Sequence, residues 1–163
     1  GIKAPTEKIN VSRAHAIVKT PIVGELMLEV FTSIFEQLHR IQGDSGSIPA
    51  DVVELYGRPV LKSGNAKAPL AMMRMVPDGP DHPSTAAMRA IEQYLQGLDI
   101  PAEIVWGMND PILGHLLPTM KLNFPKAPVT ETKGGHFLQE EVPVELAAAV
   151  LRIVNQVQSS ETY

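Results

Sequence analysis

The stretch Pro101-Ala102-Glu103-Ile104-Val105-Trp106-Gly107-Met108-Asn109-Asp110-Pro111 decides the fold class. Its short apolar run, rich in Ile and Val and bounded by Pro101 and Gly107, suits a buried strand from Ala102 to Trp106. A helix is expected from about Leu113 to Asn123, with a break or kink at Pro118. Val129 to Thr132 reads as a second strand. Pro143 to Val157 reads as an amphipathic helix with Val144, Leu146, Ala147, Val150, Leu151 and Val154 inward. Strand, helix, strand, helix implies a parallel pair, hence an α/β fold. The polar tail from Gln156 to Tyr163 is expected to fray.

Upstream, the pattern is helical and Met-rich. Val23, Leu26, Met27, Val30, Ile34, Leu38 and Ile41 recur at three and four, which places them on one face of a long helix from Pro21 to Gln42. Gly43-Asp44-Ser45-Gly46-Ser47 stops it. Ser47 is expected to cap a shorter helix ending near Gly57 and Pro59, followed by a third helix around Ala68 to Met75. Pro77, Gly79, Pro80 and Pro83 make a rigid loop, and Ser84 opens a fourth helix that stops at Gly97 and Pro101.

The chemistry is expected where the two strands end. A parallel crossover brings both following loops to one carboxyl edge of the sheet. Asp110 lies in the first loop and His136, in Gly134-Gly135-His136-Phe137, in the second. Adjacent there, the carboxylate accepts the Nδ1 proton of His136 and leaves Nε2 to act as a general base. Each motif has a plainer reading: Asn-Asp-Pro is also a turn, and Gly-Gly-His a loop. Their order and placement after both strands favour the functional reading. Asn109 and His115 are weaker local candidates, because neither offers a carboxylate at a strand end.

Composition excludes several classes. With 163 residues, 44% hydrophobic and 20% charged, the sequence has enough apolar material for one domain with a core. A net charge of -4 without a basic stripe argues against nucleic acid as a partner. No apolar run approaches a membrane span, so no membrane partner is expected. The absence of cysteine fits a reducing cytoplasm, the expected location, and five scattered His predict no metal. No cofactor is expected.

The runs Ile104-Val105-Trp106-Gly107-Met108-Asn109-Asp110 and Gly135-His136-Phe137-Leu138-Gln139-Glu140-Glu141 resemble the acid and histidine motifs of α/β-hydrolases, most closely the haloalkane dehalogenase and epoxide hydrolase branch. Thr20-Pro21 and Tyr56-Gly57-Arg58-Pro59 more loosely resemble that branch's cap. The resemblance implies a helical cap domain over 1–98 and the C-terminal part of the hydrolase core over 99–163, with the N-terminal half of the fold absent. It also implies a nucleophilic carboxylate that attacks carbon, and an ester intermediate hydrolysed by water that His136 activates and Asp110 helps orient. Nucleophile and oxyanion donors belong to the family's first half, so the chain is expected to be inactive alone and to need that half as its partner.

The substrate expected is a small apolar organic molecule. In dehalogenases Trp side chains hold the leaving halide, but the single Trp here, Trp106, lies in the strand motif, where core packing is the expected role. That leaves an epoxide hydrolase or esterase of the same fold open as alternatives, with Tyr56 as a proton donor to an opening epoxide or an ordinary packing residue. Phe31, Phe35, Met72 and Met73 are candidates for a substrate pocket, against helix packing as the plain alternative. A catalytically silent fragment or binding module is the alternative from another class. Gly43-Asp44-Ser45-Gly46 is similar to the nucleophile segment of chymotrypsin-like proteases, but its setting between helices makes it a loop.

Overall fold

The computed structural model of the chain describes residues 4–8, 16, 17, 19, 20, 22–26, 38–61 and 67–160. They fall into two compact units, one of Gly1–Ile2, His39–Ser47 and Ile91–Tyr163, the other of Lys3–Leu38 and Ile48–Ala90. The architecture is mixed α/β, with a small parallel sheet.

In the second of these units α1 (Val23–Leu26), α2 (Ala50–Leu61) and α3 (Lys67–Met75) are followed by α4 (Pro83–Gln96), which runs on into the other unit. Lys19 ties this unit together by donating Nζ to the Val76 carbonyl and pairing with Asp78 at 3.0 Å. Thr85, 1% exposed, donates its hydroxyl to the Gly79 carbonyl at the turn before α4. Most of the long helix expected over Pro21 to Gln42, with Phe31 and Phe35, lies outside the described residues. Its described end, Leu38–Ile41, is a 3-10 turn.

Two helix boundaries differ from expectation. Ser47 does not cap α2, because its hydroxyl donates to the Asp44 carbonyl and accepts from Gln42, and the helix starts three residues later. α2 also continues through Pro59 to Leu61. The proline removes the bond to the carbonyl of Leu55, a residue exposed enough for water to replace it.

In the first unit β1 (Ile104–Gly107) pairs in parallel with β2 (Val129–Thr132), Ile104 opposite Val129 and Gly107 opposite Thr132. Between them a 3-10 turn, Gly114–Leu116, leads into α5 (Leu117–Asn123). Pro118 explains the break. It sits in the first turn of α5, where a missing N–H costs nothing, and so leaves the Gly114 carbonyl able to accept the Trp106 indole N–H at 3.0 Å. Burial of Ile104 and Leu117 contributes about 1.5–3 kcal/mol each.

A short α6 (Leu138–Glu141), absent from the expected elements, precedes α7 (Pro143–Ser160). The tail expected to fray from Gln156 is helical as far as Ser160. The inward face of α7 also differs. Ala149 is buried and Leu146 and Ile153 are half-buried, whereas Val144, Val150, Leu151 and Val154 are exposed. On this helix Arg152 makes a bidentate bond to Glu103, just before β1.

Candidate active site

β1 ends at Gly107 and β2 at Thr132, and the two following loops are laced together by backbone bonds. Met108 N–H donates to the Thr132 carbonyl and Asn109 N–H to that of Gly134. The Asn109 side chain adds Nδ2 to the Lys133 carbonyl at 2.8 Å, so this residue ties the loops together. Gly107 is required by this close approach, since a Cβ there would stand 2.6 Å from the carbonyl oxygens of Gly134 and Gly135.

Asp110 divides its carboxylate. Oδ1 accepts the N–H groups of Ile112 at 2.7 Å and Leu113 at 3.1 Å, and Oδ2 lies 3.0 Å from Nδ1 of His136. Turn and partner roles, alternatives in the sequence, are thus filled by different oxygens of one residue. Burial by itself raises the Asp110 pKa, but the hydrogen bonds from His136, Leu113 and Ile112 outweigh it and hold the carboxyl below its ordinary value. An ionised acceptor at Oδ2 places the imidazole proton on Nδ1. Nε2 has no partner among the described residues, and the ring, 27% exposed, meets the Phe137 ring edge-on at 5.4 Å. The pair is therefore built like an oriented base.

The backbone carrying His136 is held from a direction that the motifs do not indicate. His136 N–H donates to the Ile41 carbonyl at 2.8 Å. The buried Gln42 side chain accepts the Phe137 N–H at 2.8 Å and donates to the Phe137 carbonyl at 3.2 Å. The Glu141 carboxylate accepts N–H groups from Gly43, Asp44 and Gly135. Gly135 must be glycine, because a Cβ would run into Cα of Gln42 and lie 2.5 Å from the Gly43 nitrogen.

The remaining candidates divide as follows. Tyr56 and Met73 are half-buried and Met72 is 70% exposed, all in the unit that does not contain Asp110 and His136. His115 is exposed. A cleft of about 540 Å³, walled by Gly43, Asp44, Asn109, Lys133 and Glu141 among others, lies beside the loop, without Asp110 or His136 in its wall. Among the described residues no cluster of His, Asp and Glu has metal-ligand geometry, and no helix is long and apolar enough to cross a membrane.

Comparison with known proteins finds partial similarity to haloalkane dehalogenases. The chain is 34% identical over 107 residues to haloalkane dehalogenase 1 of Mycobacterium tuberculosis and of Mycobacterium bovis, covering 64% of this chain and 36% of each relative. It is 29% identical over 112 residues to a haloalkane dehalogenase of Mycobacterium marinum, covering 67% and 38%. The chain thus spans little more than a third of the length of these relatives. No family model and no solved structure matches it.

Proposed function

From this relationship to haloalkane dehalogenases, we propose that the chain supplies the acid and base of a hydrolase of haloalkane dehalogenase type. In this reading residues 1–98 form the cap and 99–163 the C-terminal part of the α/β-hydrolase core. A carboxylate nucleophile, to which no residue of this chain is assigned, displaces halide from a small apolar haloalkane and forms an ester. Nε2 of His136 then takes a proton from water as its oxygen attacks the ester carbonyl, with Asp110 stabilising the imidazolium. The bond between the acyl carbon and the alkyl oxygen breaks, the carboxylate is regenerated, and the alcohol leaves with the proton that His136 returns. The observation that carries the reading is the 3.0 Å approach of Asp110 Oδ2 to His136 Nδ1, with Nε2 left open.

One observation favours a second reading for the leaving group. The single Trp of the chain donates its indole N–H to the Gly114 carbonyl and is not available to a halide. An epoxide hydrolase or esterase of the same fold needs no such donor. Halide release from short haloalkanes, measured against diol formation from epoxides with the complete enzyme, separates the two. Halide release is expected. Diol or carboxylic acid formation alone would transfer the assignment to the second reading.

His136→Gln tests the step itself: it should leave the alkyl-enzyme ester trapped and visible by intact mass, because the base acts only in ester hydrolysis. Loss of ester formation as well would point to a serine nucleophile.

A further inference from the structure

We propose that Gln42 and Glu141 are positioning residues for His136, clamping the peptide that carries the base to a segment about a hundred residues upstream. This inference rests on the reading of Asp110 and His136 as the base pair. Three consecutive peptide N–H groups are involved. Gly135 donates to Glu141, His136 to the Ile41 carbonyl and Phe137 to Gln42 Oε1. Gln42 closes its side of the clamp by donating to the Phe137 carbonyl, and is itself fixed by Ser47 Oγ at 3.3 Å. Glu141 spans the joint, with Gly135 on one side and Gly43 and Asp44 on the other.

A buried primary amide that pairs with both the N–H and the carbonyl of one residue, Phe137, acts as a strand neighbour would, and its removal leaves them unsatisfied. The imidazole hangs from the middle of this clamped tripeptide. Its position against Asp110 therefore depends on backbone that neither β1 nor β2 holds at residues 135–137. A side chain whose Nδ1 must stay within hydrogen-bond reach of a fixed carboxylate tolerates little rotation of that backbone.

The test is proton and nitrogen NMR of the chain, using the low-field Nδ1 proton of His136, with Gln42→Leu, Glu141→Gln and Asp110→Asn. Glu141→Gln is isosteric but turns an amide N–H₂ toward backbone N–H groups. The unmodified chain should show the low-field proton, and Asp110→Asn should lose it. Gln42→Leu and Glu141→Gln should lose or broaden it while the β1 and β2 amide resonances keep their positions. Retention of the signal in both clamp variants would overturn the proposal and leave the base pair standing. Absence of any signal dependent on Asp110 would overturn the base pair and the clamp with it. If Gln42→Leu does not fold, Glu141→Gln alone decides. Hydrogen exchange in the unmodified chain adds a check without substitution: slow exchange at Gly135, His136 and Phe137 is expected, and exchange at free-peptide rates would overturn the clamp.

Discussion

Asp110 and His136, 26 residues apart in sequence, meet through Oδ2 and Nδ1 at 3.0 Å while Oδ1 of the same carboxylate holds the turn that follows β1. Structure and chemistry therefore share one side chain, and substitutions can separate them. Asn keeps one oxygen for the turn but presents an amide where the imidazole needs an acceptor. Asp110→Asn in the complete enzyme should lower turnover by about 10,000-fold, as wrong-tautomer substitutions in catalytic triads do. Asp110→Ala should in addition lower stability by roughly 2 kcal/mol, because two backbone N–H groups lose a charged acceptor. Steady-state kinetics and urea unfolding read the two effects separately.

The depressed pKa of Asp110 has a fixed sign in pH dependence. Its folded value lies below the ordinary 3.8, so the folded state binds this proton less readily than the unfolded chain. The resulting stabilisation is complete above the unfolded value and is lost as pH falls through the folded one. Denaturant midpoints measured downward from pH 5 should fall more steeply for the unmodified chain than for Asp110→Asn.

Two glycines should respond oppositely to alanine. At Gly135 the added methyl collides with the backbone of Gln42 and Gly43, and Gly135→Ala should cost about 3 kcal/mol, the upper end of overpacking. Gly97, just past α4, has no neighbour nearer than 3.6 Å to such a methyl. Gly97→Ala should be neutral or stabilise by up to about 1 kcal/mol through the unfolded chain. Thermal midpoints of both variants provide the comparison.

The rotation of α7 can be tested by paired substitutions. Leu151→Gln, on the exposed face, should change stability by no more than about 0.5 kcal/mol. Ala149→Leu, on the buried face, should cost about 1–3 kcal/mol. The reverse ranking in urea unfolding would mean that the helix presents its Val and Leu residues inward.

Much of the site is legible in the linear pattern, because strand ends are marked locally. The apolar runs at Ile104 and Val129, the glycines after them and the order of Asp110 and His136 are all short-range signals, and the structure brings these two side chains together. What the pattern misplaces depends on competition between partners. Ser47 has the composition of a helix cap but is taken by Gln42 and Asp44. Val144, Val150, Leu151 and Val154 have the periodicity of a buried face, yet Ala149, with Leu146 and Ile153, faces inward. Pro59 reads as a stop, but one lost hydrogen bond beside an exposed residue does not end α2.

Sequence by itself determined the α/β character, the extent of β2 and the placement of Asp110 and His136 in the loops after the two strands, since each rests on residue type and spacing within a few positions. Only the tertiary structure decided what holds the histidine. Gln42 and Glu141 are 99 residues apart; Glu141 closes the histidine motif, but nothing in the sequence links it to Gln42. Their role exists only because glycines let two backbones approach closely enough for side chains to satisfy peptide groups far along the chain.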